Sequence, residues 1–234
     1  MAVGLRTALG VWLAAWLLIQ ALSAVFLIAG GFSSNPLEIP LVPLLAVLVI
    51  GWAIWVVALW FAVQERPGRA STGGWRSAYA ARWRPIDAAG VVVGALLQVA
   101  VVPAVYALLR SVWPEAFSEE ALGEFAQGLF DRATSSVAMI ALAVTVVLGA
   151  PVIEEFVYRG LLQRSLATRL SPMLAVAAVS VVFALVHARP VEYPGLFVVG
   201  LFFGGALVLT DRIATAIAVH MGFNLTAVVM IWPT

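Results

Sequence analysis

Ala150-Pro151-Val152-Ile153-Glu154-Glu155-Phe156-Val157-Tyr158-Arg159-Gly160 decides how this chain folds. It continues an apolar run, Val137 to Gly149, that suits lipid. Two adjacent carboxylates and an arginine then stand where a membrane helix should still be buried. One ionisable side chain at bilayer depth costs about 2.5–3.5 kcal/mol on insertion scales. Three of them between Glu154 and Arg159 need partners, and chemistry is the strongest reason to keep them.

The rest of the sequence agrees with a lipid setting. Of 234 residues, 63% are hydrophobic and 11% charged, and the mean hydropathy is +1.05. Soluble domains carry about 25% charged residues. A soluble core of this size could not hide so much apolar surface, so the chain reads as a polytopic membrane protein of the cell membrane, with the lipid bilayer as a partner. A net charge of +1 gives no electrostatic case for nucleic acid. There is no cysteine and no lysine, which excludes disulfides, thiolate nucleophiles, Cys-based metal sites, Ser–Lys dyads and Schiff bases. Arg6 precedes an apolar run from Ala8 to about Gly31, far longer than the 7–15 residues of a signal-peptide core. It reads as an uncleaved first span.

A helical span needs about 20 apolar residues. The expectation is an all-α bundle of about seven spans, over roughly 8–31, 39–63, 86–110, 137–160, 172–188, 195–210 and 212–232. The loop 64–85 holds Arg66, Arg69, Arg76, Arg82 and Arg84, which puts it and the N-terminus inside. The loop 111–136 carries Glu115, Glu119, Glu120, Glu124 and Asp131 and belongs outside. The chain is expected to be one membrane domain. Residues 1–136 supply three spans, the basic inner loop and the acidic outer loop; residues 137–234 supply a four-span catalytic core. Trp75, Tyr79 and Trp83 among arginines predict an amphipathic segment at the lipid headgroups. Ser118 predicts an N-cap, with Glu119 and Glu120 in the first turn of an interfacial helix. Gly90/Gly94 and Gly200/Gly204 are GxxxG pairs that predict close helix packing within the bundle.

Glu155 and Arg159, spaced i,i+4, share a helix face and can pair. Glu154 points about 100° away and is left to face something else. Pro151 removes one helix hydrogen bond beside them. Both histidines of the chain fall in later spans: His187 four residues after Phe183, and His220 four residues before Asn224. Glu154 and His187 each lie about 16 residues from the turn near Ser171, or about 24 Å at 1.5 Å per residue, and can face each other. His220 and Asn224 lie closer to their own turn near Asp211; they reach the same level only if helices tilt or the first hairpin projects further. One site can thus contain Glu154, Glu155, Arg159, His187, His220 and Asn224. A buried carboxylate beside an imidazole suits water activation, and a second imidazole with an amide suits an oxyanion.

The three motifs E-E-x-x-x-R (Glu154, Glu155, Arg159), F-x-x-x-H (Phe183, His187) and H-x-x-x-N (His220, Asn224) resemble those of the CAAX-protease and bacteriocin-processing family. All three stand in order, each inside a hydrophobic segment. The resemblance implies an intramembrane endopeptidase, similar to the type II CAAX prenyl endopeptidases, acting on a peptide or protein substrate in or at the membrane. It implies that Glu154 activates water with His187. His220 and Asn224 would stabilise the oxyanion, and Glu155 and Arg159 would hold the architecture. Phe183 would pack against the site as its substrate-binding side chain. Members have been described as metalloproteases, and a glutamate mechanism without metal has also been argued. Two histidines and a glutamate number enough donors for zinc. With no H-E-x-x-H helix and each histidine on its own span, no obligatory metal is expected, and zinc stays open as a cofactor. Two other readings fit parts of the pattern: a non-catalytic scaffold or immunity-type membrane protein, and a proton-coupled transporter. No inverted repeat or paired broken helices support the transporter.

Overall fold

The computed structural model describes residues 2–33, 35–65 and 74–232, and every structural statement below concerns these. Arg66 and Arg69 of the basic loop lie outside them. The regular elements are all helical. In chain order they are α1 (Leu5–Ala29), α2 (Leu41–Gln64), the short α3 (Gly74–Ala78), α4 (Pro85–Val112), α5 (Glu119–Asp131), α6 (Ser136–Leu166), α7 (Pro172–Val186), α8 (Pro190–Thr210) and α9 (Ile213–Ile231).

Six of these, α1, α2, α4, α6, α8 and α9, are long and apolar enough to cross a membrane. Their outward faces are apolar, with Leu17, Val57, Leu209 and Val229 exposed. A water-facing surface would not carry this pattern. The expected fifth span is shorter than the other six. α7 has 15 residues, about 22 Å of helix against a hydrocarbon core of about 30 Å. Ala188, at φ 55°, and Pro190 end it early.

Helix starts follow local chemistry. Ser118 Oγ accepts the Ala121 N–H at 3.1 Å to cap α5, as the sequence predicts. Ser135 Oγ accepts from Ala138 N at 3.2 Å to start α6. Ser171 does the same for α7, with Pro172 in the first turn.

Glycines set the closest contacts. A Cβ on Gly94 would stand 1.9 Å from the Val219 carbonyl oxygen, and one on Gly222 2.1 Å from that of Val91. α4 and α9 therefore cross backbone to backbone, which only glycine permits. Gly200 and Gly204 lie against Ser180 and Val176 of α7. Both GxxxG pairs are spent inside the bundle.

The basic loop differs from expectation. Tyr79 is fully buried and its hydroxyl donates to the Leu59 carbonyl at 2.6 Å. Trp75 packs edge-on to Tyr79 and Phe156. Only Trp83, 69% exposed, sits as a headgroup anchor would. Residues 74–84 dock on the bundle because Ala80 O takes the Ile213 N–H and Arg164 donates to Ala78 O. Backbone groups that would otherwise lie unpaired at helix ends are satisfied this way.

Candidate active site

α6 is distorted at two places, where α4 is distorted at one. Its backbone widens to π turns over Thr145–Gly149 and Glu155–Gln163, a feature that concentrates at functional sites. The first turn follows from Pro151. The Ala150 N–H reaches back to Thr145 O, and proline at 151 has no N–H to give. The Val146 carbonyl therefore loses its donor on its own helix. Asn224 of α9 replaces it, donating from Nδ2 at 2.8 Å. One of the two amide hydrogens of Asn224 is thus committed to structure.

Glu155 and Arg159 are fully buried, and Glu155 Oε2 stands 3.2 Å from Arg159 Nε. Arg159 Nη2 donates to the Gly200 carbonyl at 3.2 Å. The guanidinium lies 4.5 Å from the Phe183 ring centre and 5.3 Å from that of Phe203. One turn further, Gln163 donates to the Gly204 carbonyl at 3.0 Å. The two bonds tie α6 to α8 in parallel. Glu155 Oε1 meets His220 Nδ1 at 2.9 Å. A carboxylate only accepts, so Nδ1 carries the proton and Nε2 faces away from Glu155.

That Nε2 points at Glu154, whose Oε2 is 3.9 Å away. Glu154 is 26% exposed on its side chain and lines a cavity of about 570 Å³ together with His187, His220, Asn224 and Phe183. His187 Nδ1 stands 2.6 Å from the Phe183 carbonyl. The same logic protonates Nδ1 and leaves Nε2 as an acceptor. No ion pair among the described residues joins Glu154 to His187; the imidazole in contact with Glu154 is that of His220. Phe183 is buried between the two histidine rings, 4.8 Å from one centre and 6.0 Å from the other.

The question of level is answered at the other end of these helices. Arg164 Nη1 meets Asp211 Oδ1 at 2.8 Å. Residues 165–171 therefore turn beyond the level at which α8 gives way to α9, and the α6–α7 hairpin projects further.

Residues 136–226 match the family model described as Rce1-like, type II CAAX prenyl endopeptidase. The match covers less than half of the chain and stands as a likeness to that family. The matched model is described as an endopeptidase of the CAAX type, and six helices of this chain are long and apolar enough to cross a membrane. No curated protein and no solved structure matches the chain. The Rce1-like segment runs from the start of α6 into α9 and holds all three motifs; α1 to α5 precede it.

Among the described residues, no group of three His, Asp or Glu side chains stands together as a metal-ligand set. His220 has one nitrogen on Glu155, and His187 has one on a backbone carbonyl. No step is derived through a metal.

Several site residues escaped the sequence. Phe203 stacks on His220 with centres 4.4 Å apart and planes 19° from parallel. Gln163 carried a signal: it follows Arg159 by four residues, as Gly204 follows Gly200. Tyr106 accepts the Gly195 N–H at 3.2 Å and donates to Val191 O at 3.0 Å, closing one cavity wall. The acidic helix α5 supplies Glu119, Leu122 and Ala126 to the cavity's far side. Its Phe125 lies under Arg189, 4.0 Å from ring centre to guanidinium. It covers the α7–α8 connection rather than lying free at an interface.

Proposed function

We propose that this Rce1-like protein hydrolyses peptide bonds at the floor of the 570 Å³ cavity, with Glu154 as general base. The 3.9 Å approach of Glu154 Oε2 and His220 Nε2 in a cavity that also presents His187 and Asn224 carries this reading. Water held by Glu154 and the free Nε2 of His187 attacks the scissile carbonyl carbon. A C–O bond forms, and Glu154 takes the water's proton. The carbonyl electrons move onto oxygen. His220, oriented by Glu155, stands beside that oxyanion, and the second N–H of Asn224 is a donor to it. Glu154 then passes its proton to the amine as the C–N bond breaks. Glu155 and Arg159 act through His220 and the helix contacts. Phe183 and Phe203 fix both the rings and the guanidinium. Val102, Leu196, Val199 and Met230 line the approach, which favours an apolar segment of substrate, including a lipidated or CAAX-like tail.

The test is comparison of peptide termini in cells carrying wild-type or Glu154→Gln protein. A terminus present only with wild type supports the reading. Identical termini, together with cleavage of no peptide by purified wild-type protein, reject it in favour of a non-catalytic scaffold.

A further inference from the structure

We propose that the protein holds an anionic phospholipid in a second pocket, of about 600 Å³, at the end of the bundle where α4 and α9 begin. The pocket is lined by Arg76, Arg82, Trp83, Phe156, Ile213 and Ile217. Charge is the first argument. Arg82 and Arg164 share one carboxylate, Asp211, at 3.2 and 2.8 Å. Among the described residues, Arg76 has no carboxylate at ion-pair distance. Arg76, Arg82 and Arg164 thus have one carboxylate among them, a surplus of about two positive charges beside the pocket. By contrast, Arg212 is matched one to one by the buried Asp87 at 2.8 Å.

Shape and polarity are the second argument. Arg76 and Arg82 line the pocket beside Trp83, an exposed tryptophan of the kind that sits at headgroup level. Below it, Phe156, Ile213 and Ile217 form an apolar wall between α6 and α9. A phosphate reaches both exposed guanidiniums, while an acyl chain covers the wall. A free phosphate satisfies only the first of these two surfaces. The wall belongs to the backs of the helices that carry Glu154 and His220, so the lipid is expected to stiffen both.

The probe is phosphatidylglycerol, titrated into the full-length protein in an uncharged detergent and read by the thermal unfolding midpoint. A saturable rise with phosphatidylglycerol, absent with phosphatidylcholine and with inorganic phosphate, is expected. Arg76→Gln/Arg82→Gln should weaken the apparent affinity about 30-fold, as loss of two arginine–lipid contacts implies. Arg6→Gln/Arg169→Gln removes the same charge elsewhere and should leave the affinity unchanged. Arg76→Gln alone breaks no ion pair among the described residues, so its weaker binding separates a lost ligand from a damaged fold. The proposal is overturned if both double variants lose affinity equally, if phosphatidylcholine acts as well, or if phosphate alone gives the full shift.

Discussion

His220 Nδ1 lies 2.9 Å from Glu155 Oε1, and Glu155 Oε2 lies 3.2 Å from Arg159 Nε. One buried carboxylate thus orients an imidazole with one oxygen and holds a guanidinium with the other. Glu154, the adjacent residue, is left to the cavity. On the proposed mechanism, catalytic and supporting roles are divided between neighbours by the 100° step of a helix.

Glu154→Gln keeps the shape of the side chain and removes its basicity. Peptide cleavage should fall by about 10²–10⁴-fold, the usual contribution of a positioned base. The unfolding midpoint should barely move, because Glu154 faces the cavity. A purified variant with wild-type turnover refutes its assignment as base.

Arg159→Met leaves Glu155 buried without its cation and should cost about 3–5 kcal/mol. Adding Glu155→Gln should recover much of that stability, since the unpaired charge is gone. Activity should stay low in the double variant, because the carboxylate that orients the imidazole of His220 is gone. Thermal unfolding beside turnover separates the two effects.

Asn224→Ala strips the donor from the Val146 carbonyl and should cost about 1–3 kcal/mol. Pro151→Ala supplies a backbone N–H on the same helix. The two changes should be less than additive in stability, by a double-mutant cycle. Simple additivity would show that the carbonyl does not depend on this bond.

Gly94→Ala and Gly222→Ala place a methyl group against the facing backbone and should each destabilise the bundle by about 1–3 kcal/mol or more. Gly10→Ala and Gly205→Ala meet nothing within 4 Å and should be neutral or slightly stabilising. Unfolding midpoints of the four variants check the contrast.

The arginine distribution puts α5 outside and residues 74–84 inside. The chain has no cysteine, so Gly123→Cys should react with a membrane-impermeant maleimide added to whole cells, and Arg82→Cys should react only after lysis. The reverse pattern inverts the orientation.

The sequence by itself determined the helical class, the neighbourhood of Glu154 and the family motifs. Apolar run length fixes which segments suit lipid, and a charge inside such a run stands out against its cost. The Glu155–Arg159 pairing was equally legible, since an i,i+4 spacing is a local property of one helix. Only the tertiary structure decided what reaches across. His220 meets Glu155 because α9 packs against α6, and Asn224 meets Val146 because Pro151 empties a carbonyl facing it. The length of α7 and the burial of Tyr79 were decided the same way, by partners distant in sequence: an apolar or aromatic residue looks alike whether lipid or protein covers it, and composition does not record which.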